Sequence, residues 1–152
     1  MKNENGFEFL ELSNLIKEKR IYIVASKWNN AIVSEMVNES LSFMNDLGIK
    51  NIEVIRVPGA WEIPYASLKA IDNGANGIIT FGAIIKGETP HFEIISNTSS
   101  QAIMNLSLNR GVPIANGILA TNNLDQAIER SSVHKLNKGR EVTQSLLEML
   151  EI

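Results

Sequence analysis

Residues 77–85 read GIITFGAII and residues 86–92 read KGETPHF. A nearly unbroken apolar run of that length, closed by a lysine and a glycine, is far too short for a membrane span and reads as a strand buried on both faces. Three further runs share its character: IYIVAS (21–26), IEVIRV (52–57) and PIANGILA (113–120). Between the runs, apolar residues return every three or four positions, the helical period. Asn30–Leu47 carries one stripe (Ile32, Val33, Met36, Val37, Leu41, Met44, Leu47), with Gly48 as its stop. A helix over Ile63–Asp72 closes on Asn73-Gly74, and another runs from about Pro90 to Arg110 with Gly111 beyond it. A short helix over Leu124–Ser131 follows the capping residues Thr121, Asn122 and Asn123, and a last one spans about Asn137–Ile152. Strands alternating with helices predict right-handed parallel crossovers. The fold class is therefore α/β, a three-layer αβα sandwich on a four-stranded parallel sheet. FEFLEL (7–12) has no place in that order and reads as an edge strand added to a neighbouring subunit. Residues 1–20 are set apart as an N-terminal arm and 21–152 as a single domain.

Composition narrows the function classes. A chain of 152 residues is one domain with a core of its own, and 44% apolar with 20% charged residues is globular composition. With no cysteine there is neither a disulfide nor a thiolate metal site. A net charge of −3 argues against nucleic acid as a partner. The first twenty residues carry scattered acids and no apolar core of signal-peptide length, so a cytoplasmic protein with no membrane partner is expected.

Ligands of open parallel sheets bind beyond the carboxyl ends of the strands. Both tryptophans of the chain fall there, in Ser26-Lys27-Trp28-Asn29 and in Pro58-Gly59-Ala60-Trp61-Glu62. Either alone fits core packing; two at equivalent strand ends suggest a flat aromatic ligand. In KGETPHF, Thr89 suits an N-cap, Pro90 the first helical position and His91 the first turn. Such a helix start offers free N–H groups to an anion such as phosphate, with an imidazole beside them for proton transfer. The same segment, taken alone, equally fits a plain helix start. Arg130 ends the short helix and Lys138 lies in the loop after it; both suit phosphate and both suit an ordinary surface. GxGxxG, GxxxxGK[ST] and GxSxG are absent, and His91 and His134 lack metal-ligand spacing.

Taken together, SKWN (26–29), VPGAWEIP (57–64), GAIIKGETPHF (82–92), GILATNNLDQAIERS (117–131) and NKG (137–139) resemble lumazine synthase. The resemblance covers roughly residues 21–150, in order and with nearly the family spacing. It implies a flavodoxin-like fold and a reaction without cofactor or metal. That reaction joins 5-amino-6-(ribitylamino)uracil to 3,4-dihydroxy-2-butanone 4-phosphate, giving 6,7-dimethyl-8-ribityllumazine in the penultimate step of riboflavin biosynthesis. By position, the resemblance implies that Trp28 stacks on the pyrimidine and that Ala60, Trp61 and Glu62 line the ribityl site. Main chain at Ala83, Ile84 and Ile85 would read the uracil edge. Glu88, Thr89 and Arg130 would bind phosphate, His91 would transfer protons, and Lys138 would contact the uracil or the developing charge. It further implies a homopentamer, able in some cases to build an icosahedral shell, whose sites take residue 116, Arg130 and Lys138 from the neighbour. Riboflavin synthase is the further partner it suggests. Asn116 departs from the family, standing where a phenylalanine is common. That departure is the motive for an alternative, a relative that holds a lumazine or flavin without turnover. Lys86 replaces a frequent arginine, Ala120 a frequent threonine and Leu136 a frequent glycine.

Overall fold

The computed structural model describes residues 11–152. The expected FEFLEL strand lies, but for Glu11 and Leu12, outside the described residues. Four strands form one parallel sheet in the order β2-β1-β3-β4: β1 Ile21–Ser26, β2 Ile52–Val57, β3 Gly77–Ile85 and β4 Ile114–Thr121. Five α-helices cover it, α1 Asn30–Asp46, α2 Ile63–Asp72, α3 His91–Arg110, α4 Leu124–Ser131 and α5 Lys138–Met149. The three-layer α/β sandwich expected from the alternating runs is therefore present.

The strand period of two divides the core. Ile21, Ile23 and Ala25 of β1 face one side with Ile79, Phe81 and Ala83 of β3, and there they meet α1, α4 and α5 through Val33, Met36, Met44, Ala127, Leu146 and Leu147. Tyr22, Val24 and Ile78 face the other side, against Ile63, Ala66 and Ala70 of α2 and Ile103 of α3. Only β1 and the first seven residues of β3 are buried throughout. The expectation of two-faced burial fails for β2 and β4, which are the sheet edges; Glu53 and Val54 of β2 and Asn116 and Ala120 of β4 are exposed. An apolar run does not reveal whether its strand has one neighbour or two.

Helix ends follow local chemistry. Gly48, Gly74 and Gly111 take positive φ after α1, α2 and α3, as helix-terminating residues do. Asn123 caps α4 by accepting from the Gln126 N–H at 2.9 Å. Before β1, residues 12–18 pack onto the domain: Ile16 of a 3-10 turn is buried in the core, and Ser13 donates from N and Oγ to Glu151. Met149, at the end of α5, is exposed, whereas Leu146, Leu147 and Leu150 pack into the core. Among the described residues no helix is long and apolar enough to cross a membrane.

Candidate active site

The carboxyl ends of β1, β2 and β3 build one rim. Ser26 ends β1 opposite Val57 of β2, and the backbone then crosses over, with Lys27 N donating to Val57 O at 2.7 Å and Trp28 N to Pro58 O at 3.1 Å. This fixes the base of Trp28 while the residue as a whole stays 65% exposed. Behind the ring lies Gly59: a Cβ there would sit 2.7 Å from Trp28 Cε3, so only glycine lets the indole rest against that backbone. A 3-10 turn, Ala60–Glu62, follows. Ala60 is buried, Trp61 is exposed, and Glu62 accepts from Gly59 N at 3.0 Å through Oε2. The carboxylate thereby braces the turn that Trp28 leans on.

β3 outruns β1. Its last partner on that side is Phe81, opposite Ala25, whereas Ala83, Ile84 and Ile85 pair with Leu119, Ala120 and Thr121 of β4 alone. The backbone edge of Ala83–Ile85 on the β1 side thus has no strand beside it. Asn29, in the left-handed region at φ 56, donates from Nδ2 to Ala83 O at 2.8 Å. Next comes the KGETPHF turn. Lys86 N donates to Thr121 O at 2.9 Å, Glu88 and Thr89 form an exposed bend, and α3 starts at His91 with Pro90 in the cap position. This corrects the expectation of a Thr89 cap: the Thr89 side chain makes no capping bond, and the proline ring sets the first turn. The His91 imidazole is exposed on that first turn, beside N–H groups that have no intrahelical acceptor.

Asn116, Arg130 and Lys138 come together elsewhere. They line a cleft of about 400 Å³ along the outer edge of β4, with Glu141, Val142 and Ser145 of α5 as its wall. Asn116 pairs with Thr80 in mid-strand, level with Val24. It is therefore about 10 Å across the sheet and about 13 Å down it from Trp28. The Asn116 amide is engaged on both sides, accepting from Ile118 N at 3.0 Å and donating to Ser100 Oγ at 3.4 Å. Arg130 donates to Gln126 O at 3.1 Å, and Lys138 pairs with Glu141 at 2.8 Å. Lys138 is not in a loop, as expected, but opens α5, because Asn137 at φ 48 turns the chain and caps the helix through Arg140 N. One chain therefore carries two separate groups of expected site residues.

Three contributors escaped the sequence reading. Glu141, the partner of Lys138, was visible as an acid three residues on, the spacing of neighbours on a helix. Gly139 permits α5 to touch α1, since a Cβ would stand 2.8 Å from Met36 Cα and O; nothing local in the sequence announces that contact. Arg56, a lone charge in the IEVIRV run, reaches over the end of β1.

The family model described as 6,7-dimethyl-8-ribityllumazine synthase matches residues 18–152. Among curated relatives, the 6,7-dimethyl-8-ribityllumazine synthase of Leuconostoc mesenteroides is 43% identical over 138 residues, covering 88% of this chain and 88% of its own. That of Protochlamydia amoebophila is 41% identical over 140 residues, 90% of this chain and 81% of the relative. The protein of the same name from Campylobacter jejuni is 38% identical over 142 residues, 91% of this chain and 92% of the relative. The matched residues 18–152 span both groups of expected site residues, and the matches favour an enzyme over a binding-only relative. The chain belongs to the 6,7-dimethyl-8-ribityllumazine synthase family, and the condensation that forms the lumazine in riboflavin biosynthesis is its function.

Proposed function

We propose that the condensation takes place in a site shared by two copies of the chain, one lending the rim at the strand ends and the other the β4 cleft. The observation that carries this reading is the separation of the two groups. Trp28, the Ala60–Glu62 turn, the β3 edge and His91 lie at one end of the sheet, and the cations Arg130 and Lys138 lie on its outer edge. Neither group alone offers both a flat platform and a full phosphate site.

In the shared site, Trp28 stacks on the pyrimidine and the backbone of Ala83, Ile84 and Ile85 hydrogen-bonds its edge. Ala60, Trp61 and Glu62 hold the ribityl chain, the carboxylate accepting from sugar hydroxyls. The phosphate of the ketone sits on the N–H groups of Glu88, Thr89 and the start of α3, with the neighbour's Arg130 closing the site through its planar fork. The amine attacks the ketone carbonyl and water leaves to give an imine. Phosphate is then eliminated from C4, the enol left at C3 becomes a ketone, and the ribityl-bearing nitrogen closes on that carbonyl with loss of a second water. His91 moves protons in these steps, Lys138 contacts the uracil, and Asn116 faces the pyrimidine as an amide in place of an apolar lid. No cofactor takes part. Much of the acceleration comes from holding two partners in register.

A homopentamer is the assembly assigned, and exposed apolar side chains at helical spacing on α3, namely Ile94, Met104 and Leu108, suit a second copy as the covering surface. The cytoplasm is the compartment and riboflavin synthase the downstream partner of the same reading. The test mixes purified protein with both substrates and follows product fluorescence and phosphate release. Phosphate release matching product one for one is expected. Binding of the pyrimidine with no release above the uncatalysed rate would overturn the reading.

A further inference from the structure

The β2 run IEVIRV carries one positive charge, Arg56, which lies opposite Ala25 one residue before the strand ends. Its guanidinium does not turn out to solvent. Nη2 donates to Ser26 O at 2.9 Å and to Asn30 Oδ1 at 2.6 Å. These two acceptors stand on either side of the turn Lys27-Trp28-Asn29. The Nε–H of the same side chain is buried with no partner, a costly arrangement that the geometry of the turn imposes. Trp28 is largely exposed, and the Gly59 backbone behind its ring restrains it from one side only. Its direction depends on the turn, and one guanidinium nitrogen ties the two ends of that turn together.

We propose that Arg56 is a positioning residue for the condensation, acting through Ser26 and Asn30 to hold Trp28 where the pyrimidine stacks; this rests on the assignment of Trp28 as the pyrimidine platform. Without the clamp, Asn30 and the start of α1 are released on one side, and the indole samples orientations that do not meet the ring. Binding of the pyrimidine suffers, whereas the phosphate site, built from the KGETPHF turn and Arg130, does not depend on it.

The experiment compares steady-state KM for each substrate, and kcat, in the wild type, Arg56→Met, Asn30→Ala and Trp28→Ala. Arg56→Met should raise KM for the pyrimidine by about tenfold while kcat and KM for the phosphorylated ketone stay within about twofold. Asn30→Ala should shift the same constant in the same direction, and Arg56→Lys, which keeps one donor for the turn, should fall between. Asn30 is exposed, so its variant decides the matter should Arg56→Met fail to fold. If Trp28→Ala raises KM for the pyrimidine but neither Arg56→Met nor Asn30→Ala does, positioning by Arg56 is overturned and the platform stands. If Trp28→Ala leaves that KM unchanged, the platform assignment is what fails, and the role of Arg56 falls with it. Equal rises in KM for both substrates would mark a general loss of structure and overturn the proposal too.

Discussion

At Gly59, the space of a single methyl group decides where an indole can lie. The Trp28 ring comes within 2.7–2.8 Å of where a Cβ would be, so Gly59→Ala must push the ring off the backbone. The rest of the turn tolerates alanine, because Gly59 has extended dihedrals at φ −143. KM for the pyrimidine is expected to rise by about tenfold. The melting temperature should fall by less than about 5 °C, since the ring is exposed and can move. A large loss of stability with unchanged KM would contradict the role given to Trp28. Arg130 offers the complementary measurement at the other substrate. Arg130→Ala should raise KM for the phosphorylated ketone by about tenfold or more and leave the pyrimidine KM nearly unchanged, with Arg130→Lys in between. Equal effects on both constants would remove Arg130 from the phosphate site. The motif VPGAWE was plain in the sequence, but its glycine had no visible reason until Trp28, thirty-one positions earlier, was seen to lie on it.

Two contacts between elements brace the domain, one at an end of the sheet and one between the helices on its face. At the amino end, Arg20 joins β1, β2 and the α2–β3 turn, donating to Glu53 Oε1 at 3.0 Å, Tyr22 Oη at 2.9 Å and Asn73 O at 2.7 Å. Hydrogen bonds from Arg20 and then Tyr22 hold the Glu53 carboxyl below the usual 4.5. A depressed carboxylate contributes stability that is present above pH 4.5 and lost as pH falls through the folded value. Glu53→Gln should therefore be less stable than the wild type at about pH 6, with the gap narrowing as pH falls below the usual carboxylate range, as read by denaturant midpoints. A gap independent of pH would assign the loss to packing. Across the other face, Gly139 lets α5 lie on α1, next to the buried Thr143–Ser40 hydroxyl pair at 2.6 Å. Gly139→Ala places a carbon 2.8 Å from Met36 backbone that cannot retreat without moving α1. The expected cost is about 1–3 kcal/mol, and Lys138 is displaced with it. The alternation of apolar runs and helical stripes made the four strands and five α-helices legible, mostly within one or two residues, though α5 stops at Met149 and the 3-10 turns Asn14–Glu18 and Ala60–Glu62 went unread. What it hid was sheet order, and with it the exposure of β2 and β4, because periodicity reports a strand's own faces and not its neighbours. It hid the cap of α3 as well, where the proline ring displaced the threonine that propensity favours.

For the whole molecule, the decisive fact is that residues adjacent in the expected reaction are not adjacent in one chain. The KGETPHF, SKWN and GAWE segments could be grouped from strand ends alone, but Asn116, Arg130 and Lys138 were joined to them only through the family resemblance. Their own cleft lies along β4 and is walled by α5. A sequence describes one chain, so the proposed site, divided between two copies, would leave no periodicity to read. The division also sets up a direct test. Trp28→Ala disables the rim and leaves the β4 cleft intact, whereas Arg130→Ala does the reverse. Made separately, each variant should be weak at substrate concentrations below KM. Co-expressed in equal amounts, they should form mixed assemblies in which about one site in four receives an intact rim from one chain and an intact cleft from the next, as random neighbours in a closed ring require. Activity per site should then rise to about a quarter of the wild-type value, above either parent. Activity equal to the mean of the two parents, in assemblies shown by mass to contain both chains, would mean that each site is built within one subunit.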